Sequence, residues 1–418
     1  MFIKNTLIYL LSSILSASMP FVLLPILTRF LSPSDYGQVA MYNILVVVLT
    51  ALIGLNVTGS VQRKYYDDDV TKEDIAIYIG NCLYITKLSI LLVLLALSIF
   101  YKEISLYLEI PVFWLFIAVF QVSLVFIVNL RLAYWQVESA ALKFGALQLF
   151  NAATNSALCI LFVVWLGLNA EGRIYSIVLA CLLAGIVALY SLFRNQLINF
   201  TISKKDIIRA LKYGIPLIPH VIGTFLIVSV GRLVVKNELG IATAGLFMAA
   251  VNVSNVLSVI FTSINKAYVP WLFTKLKINN KTYNKLIVKY TYLYILLLIF
   301  VSVLSYKFSP YVFELVVGPE FRSISYIIPL LVISQIVLGM QKSIVNHLFF
   351  LEKTKSLSTI TVFCGLISLL LLFFFIKSYG IYGAGLAIFI ASVIQFFLTY
   401  LLVCKESNLQ WNILEVFK

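Results

Sequence analysis

Acidic residues are scarce in this chain, and charge of either sign is nearly missing from its apolar runs. Of 418 residues, 17 are Asp or Glu against 31 Lys or Arg; charged residues make up 11% and hydrophobic residues 62%. A mean hydropathy of +1.02 excludes a water-soluble globule and marks a polytopic membrane protein. The two histidines, His220 and His347, are too few and too far apart in sequence to argue a metal site. The five cysteines, Cys82, Cys159, Cys181, Cys364 and Cys404, lie scattered through apolar runs with no C-x-x-C pair. Their odd number argues against a complete disulfide framework, so they read as small buried apolar residues. A nucleotide-binding loop, zinc-ligand spacing and a nucleophile elbow are also missing. No cofactor is expected. The net charge of +14 would suggest nucleic acid, but most of it falls in alternate loops and reads as orientation in a membrane. No nucleic-acid partner is expected.

What is present is long apolar sequence. Runs such as Leu88 to Phe100 and Leu366 to Ile376 are nearly continuous and do not alternate, which excludes an outer-membrane barrel. A span needs about 20 apolar residues. On that measure the chain reads as an all-α integral membrane protein with twelve transmembrane helices, near 6–28, 37–60, 78–100, 111–134, 145–168, 174–194, 213–235, 244–268, 287–308, 323–348, 357–377 and 381–403. The first run continues past Ser16-Ala17-Ser18 to bilayer length, so it reads as a retained helix and not a cleaved signal.

Lys and Arg collect in one set of loops, including Arg63, Lys64, Lys143, Lys204, Lys205, Arg209, Lys212 and Lys275 to Lys289. The positive-inside rule then makes both termini cytoplasmic. The basic connection between the sixth and seventh helices divides the chain: an N-terminal six-helix bundle at 1–200, a basic cytoplasmic linker at 201–212, a C-terminal bundle at 213–404 and a tail at 405–418. Two echoes support a duplication. Glu171 to Ser176 matches Tyr379 to Ala384, and Pro20, Arg29, Tyr36-Gly37 and Asn43 match Pro219, Arg232, Ala244-Gly245 and Asn252. Transporters built in this way place their pathway between the halves.

Candidate pathway residues are those that are costly in lipid. Lys87, Arg131, Arg232, Lys266 and Lys342 fall inside or at the edge of predicted helices, with Arg29 at the end of the first. An ionised side chain at the bilayer centre costs roughly 2.5 to 3.5 kcal/mol on insertion scales and normally faces a polar interior. With almost no intramembrane acid to pair with, these cations suggest an anionic ligand. For Arg131, Arg232 and Lys266, snorkelling to the membrane surface stays an open reading. Antiparallel geometry groups Arg29 with Arg232 at the outer rim and Lys266 with Lys342 towards the cytoplasm, with Lys87 between. Polar stripes run along Asn252, Asn255, Thr262 and Lys266, along Gln148, Asn151 and Asn155, and along Gln335, Lys342 and Asn346, with Asn43 in the second helix. Such amides either bond neighbouring helices or meet sugar hydroxyls. Pro20, Pro25, Pro216, Pro219 and Pro270 are candidate bend points, with fixed packing kinks as the alternative.

The entry LPILTRFLSPSDYG (Leu24 to Gly37), GIPLIPH at the seventh helix, NKAYVPWLF (Asn265 to Phe273) and VVGPEF (Val316 to Phe321) together resemble the Wzx-type polysaccharide flippases of the multidrug/oligosaccharidyl-lipid/polysaccharide exporter superfamily. The resemblance implies a MATE-like fold, two six-helix bundles around a central cavity. It implies alternating-access movement of undecaprenyl-pyrophosphate-linked oligosaccharide for O-antigen or capsule assembly. Its partners would be that lipid, the surrounding membrane lipids and other polysaccharide-assembly proteins. Many such flippases carry Asp-Arg where this chain has Gly231-Arg232, so the arginine carries over and an acid-held coupling ion does not; H+ or Na+ coupling stays open. The alternatives are a cation-coupled multidrug exporter of the same fold, disfavoured by the scarcity of acids, and a glycan polymerase or acyltransferase. The latter is disfavoured by short external loops and by His347 standing at a helix end.

Overall fold

The computed structural model describes residues 2–218, 221–222, 225, 229–278, 280–351, 353–407 and 409–411, without the side chains of 2–6, 267, 354 and 355. Among the described residues every regular element is helical. In chain order these are α1 (Phe2–Phe30), α2 (Pro33–Leu52), α3 (Thr58–Tyr65), α4 (Lys72–Leu108), α5 (Val112–Val137), α6 (Ala141–Cys159, continued by a π-helical turn Ile160–Trp165), α7 (Asn169–Arg194), α8 (Lys204–Gly214), α9 (Val230–Leu239), α10 (Ile241–Ile278), α11 (Lys281–Val316), α12 (Ile328–Phe350) and α13 (Thr354–Glu406).

Local chemistry sets several ends. Ser32 and Asp35 form a capping box that starts α2, with Pro33 in the first turn, and Thr71 with Asp74 does the same for α4. Each box satisfies orphan amides that lipid or packed protein could not. Ten helical stretches are long and apolar enough to cross a membrane among the described residues. At a rise of about 1.5 Å per residue, the 37-residue α4 is about 55 Å long and extends beyond the hydrocarbon layer. The eleventh and twelfth predicted spans form one 53-residue element, α13, broken at Gly380 by φ 58 and ψ −140. That conformation lies open to glycine alone. The predicted span at 213–235 includes Pro219 and His220, which lie outside the described residues.

The chain divides into two compact units, Met1–Phe225 and Leu226–Lys418. In the first unit, Val57, Val61, Ile79, Cys82 and Leu130 form a core onto which Ile207, Ala210 and Leu211 of α8 pack. The stretch leading into α8 is docked onto α4. Asn199 N–H donates to Ala76 O at 3.1 Å, Asn81 Nδ2 donates to Thr201 O at 3.1 Å, and Ser203 N–H donates to Asn81 Oδ1 at 3.0 Å. In the second unit α12 packs against α10, α11 and α13, and Trp411 closes one end, its carbonyl accepting from Tyr292 Oη at 2.6 Å. Cys82, Cys159, Cys181 and Cys364 are buried free thiols, as their apolar settings predict, whereas Cys404 is only half-buried. Outward faces are apolar: Leu91, Leu92, Leu95 and Ile99 of α4 and Leu296, Phe300 and Val303 of α11 are exposed, which suits lipid and not water.

Candidate functional site

In the second unit the polar face of α10 meets α12 around one cation. Lys342 Nζ donates to Thr262 Oγ1 at 2.6 Å and lies 3.4 Å from both the carbonyl and the hydroxyl of Ser258. These three acceptors are neutral, and Lys342 forms no ion pair among the described residues. One turn further along, Asn346 Nδ2 donates to Asn265 Oδ1 at 2.7 Å and to Lys342 O at 2.8 Å. Ser258, Thr262 and Asn265, spaced by four and three residues, therefore share the face turned to α12. Lys266 is exposed, away from that cluster.

Beside Lys342 lies a cavity of about 310 Å³, walled by Phe261, Asn265, Tyr268, Trp271, Tyr290, Tyr294 and Ser343. Its aromatic wall is continuous, with ring centroids 5.7 Å apart for Tyr268 and Trp271 and 6.0 Å apart for Trp271 and Tyr290. Gly339 lets α12 approach Phe261: a Cβ there would stand 2.6 Å from the ring. The arrangement offers one ammonium, an amide pair and flat apolar faces. It suits a ligand that joins an anionic group to sugar-like rings, through charge-assisted bonds at one end and stacking at the other.

In the first unit α1 and α6 enclose a cavity of about 340 Å³ lined by Ser13, Ser16, Pro20, Gln148, Asn151, Asn155 and Ser156. Gln148 Oε1, Asn151 Oδ1 and Ser16 Oγ are buried there without a hydrogen-bond partner. Asn155 Oδ1 instead accepts from Arg173 Nη1 at 2.7 Å. Arg173 falls between the predicted spans 145–168 and 174–194; it stands in the first turns of α7, half-buried, and reaches back to α6.

The other predicted residues are dispersed. Arg29, at the end of α1, and Lys87, on α4, are exposed; Arg232 on α9 is half-buried, as are Asn43, Asn252, Asn255 and Gln335. Arg131 is 1% exposed. Its Nε donates to Ser191 Oγ at 3.0 Å, and its guanidinium carbon lies 4.3 Å from the Trp135 ring centroid. It therefore holds α5 to α7 and lines neither cavity. Pro20 and Pro25 lie inside the continuous α1, Pro270 inside α10, and Pro216 in the short 3-10 turn Ile215–Leu217 after α8; Pro219 is outside the described residues. His347, 1% exposed, stands edge-on to Trp411 at 5.6 Å with neither ring nitrogen hydrogen-bonded. The aromatic wall was missed as a site from sequence, although Asn265, Tyr268 and Trp271 all sit in the NKAYVPWLF motif that carries the resemblance.

A family of proteins described as "Polysaccharide biosynthesis protein" matches residues 2–277. The chain belongs to that family. The Wzx-type resemblance of the sequence motifs agrees with this membership. Among its relatives, an "Uncharacterized membrane protein" of Haemophilus influenzae is 27% identical over 372 residues, 88% of this chain and 87% of that protein. The "Lsg locus putative protein 1" of the same organism is 24% identical over 364 residues, 86% and 87% of the two chains. The fold is similar to lipid II flippase MurJ in its inward closed conformation, with a TM-score of 0.76 and 13% identity over 95% of this chain and 87% of that one. It is also similar to an inward-facing multidrug resistance MATE family transporter, with a TM-score of 0.72 and 14% identity over 93% and 95%. The chain is thus an all-α multi-pass membrane protein of the fold shared by MATE transporters and MurJ.

Proposed function

We propose that this chain is a flippase that carries a lipid-linked oligosaccharide precursor of a surface polysaccharide across the bacterial cytoplasmic membrane. Family membership supports the polysaccharide context, and the observation that carries the chemistry is Lys342 with neutral ligands beside an aromatic and amide-walled cavity. A lipid pyrophosphate joined to sugars presents the anion and the rings that such a site suits. Neither cavity described above has an acidic lining residue, which favours an anionic cargo over a cationic drug.

The finer reading has twelve spans in two six-helix bundles, 1–200 and 213–404, joined by the linker 201–212 and followed by the tail 405–418, with both termini in the cytoplasm. Alternating access would expose the pathway to each side in turn. Lys342 takes the pyrophosphate towards the cytoplasm, with Lys87 and Lys266 along the way and Arg29 and Arg232 at the outer rim; Gln148, Asn151, Asn155, Asn43, Asn252, Asn255 and Gln335 face the glycan. Arg131 leaves this set and becomes a packing residue. Outward movement of negative charge gains about 2.3 kcal/mol per charge per 100 mV when the cell interior is negative.

The test is complementation of a strain lacking its polysaccharide flippase, with membrane abundance measured in parallel. Surface glycan is expected with the wild-type chain and a severe loss with Lys342→Ala at normal abundance. Normal export by that variant would remove Lys342 from the pathway; failure of the wild-type chain with any lipid-linked glycan, together with drug efflux, would favour the exporter reading.

A further inference from the structure

Outside both cavities, α3, α4 and α8 enclose a third one in the first unit, about 510 Å³ in volume, whose walls include Arg63, Tyr78, Lys205, Arg209 and Lys212. Lys205, Arg209 and Lys212 stand at i, i+4 and i+7 on α8 and so project from one face. The opposite face fixes their position: Ala210 is fully buried in the core cluster, and the backbone of Gly214 passes so close to the turn before α3 that a Cβ there would lie 2.1 Å from Leu55 O.

The charges on this face are incompletely matched. Asp67 forks onto Arg209, accepting from Nη1 and, at 2.7 Å, from Nη2, and it also lies 3.6 Å from Lys64. Arg63, Lys205 and Lys212 form no ion pair among the described residues. Tyr78 is an independent observation. It is 1% exposed, lines the cavity, and its hydroxyl, beside the Ser60 side chain, makes no hydrogen bond of normal geometry. A buried hydroxyl left so is destabilising, and an acceptor oxygen from a ligand removes that cost.

The surroundings indicate which anion. Phe200, Ile202 and Ile208, at the entry to α8 and on it, are 68%, 64% and 42% exposed. Exposed apolar residues beside clustered cations are the pattern of a segment lying in the headgroup layer of a bilayer. We propose that this cavity binds the phosphate or pyrophosphate of a lipid headgroup, with Lys205, Lys212 and Arg63 supplying charge and Tyr78 a hydroxyl donor. Its lining residues belong to the first unit and those of the Lys342 cavity to the second, and the proposal does not depend on that cavity.

The test uses the full chain in nanodiscs of zwitterionic phosphatidylcholine, titrated with farnesyl pyrophosphate or inorganic pyrophosphate, in the wild-type and Lys342→Gln backgrounds. Lys205→Gln with Lys212→Gln is expected to weaken farnesyl pyrophosphate binding by about tenfold or more in both backgrounds, and Tyr78→Phe by a smaller factor. Both lysines are exposed, so the double variant folds. Displacement by phosphatidylglycerol placed in the disc identifies membrane phospholipid as the occupant; resistance to it identifies a pyrophosphate-bearing lipid. Equal binding by the wild-type chain and the double variant overturns the site. Inorganic pyrophosphate binding as tightly as the farnesyl form overturns its assignment to lipid.

Discussion

Lys342 Nζ and Thr262 Oγ1 meet at 2.6 Å across helices α12 and α10, 80 residues apart in sequence. The threonine therefore positions the ammonium at the cavity wall. Lys342→Met is expected to lower glycan export by roughly tenfold or more, because a charge-assisted contact contributes about 1.5–3 kcal/mol. Thr262→Val is expected to destabilise the fold by about 1–3 kcal/mol, since a half-buried cation loses its nearest acceptor. In the double variant the threonine substitution should cost much less. A double-mutant cycle by thermal unfolding in detergent measures the coupling.

Arg131 should behave as a packing residue. Arg131→Ala removes a fully buried side chain and its contact with Trp135, with an expected loss of about 2–5 kcal/mol and reduced abundance. Arg131→Met keeps most of the volume and should recover much of the stability. Export per folded molecule, from quantified membrane levels, should match wild type for the methionine variant. A selective loss of export there would return Arg131 to the pathway.

Gly80 is where the stretch before α8 crosses α4. A Cβ at this position would stand 1.9 Å from Asn199 O, a backbone atom that cannot swing aside. Gly80→Ala is therefore expected to cost on the order of 3 kcal/mol by overpacking. It should also free residues 199–203 from Asn81, read out as faster hydrogen exchange in that segment alone.

The Asp67 and Arg209 pair should make the docking of α8 sensitive to acid. The Arg209 guanidinium holds the Asp67 carboxyl below the usual carboxylate range, and the carboxylate in turn holds Arg209 above its usual value. A lowered carboxylate pKa contributes stability that is complete above the unfolded value, about 3.9, and is lost as pH falls through the folded one. Hydrogen exchange across α8 should thus show the same protection at neutral and mildly acidic pH and a loss below about pH 4. Asp67→Asn should remove that dependence.

Much of this protein follows from the order of its residues. Nearly continuous apolar runs can satisfy their backbone in lipid only as helices, so the all-α membrane class and most span positions are legible without coordinates. The capping pairs Ser32 with Asp35 and Thr71 with Asp74 act within four residues, and Lys342 stood out because a cation in an apolar run has so few permitted places. What only the tertiary structure decided depends on which faces of distant helices meet. The motif NKAYVPWLF shows that its residues matter but not that Tyr268 and Trp271 form a wall with Tyr290 of α11. Arg131 and Lys342 look alike in sequence, yet one packs on Trp135 and the other borders a cavity. Likewise 201–212 reads as a basic linker, while Gly80, Asn81 and Asp67 pin that region to α4 and to the turn after α3. Helix periodicity is a local property of the chain. The partner of each helical face is set by packing between segments tens of residues apart.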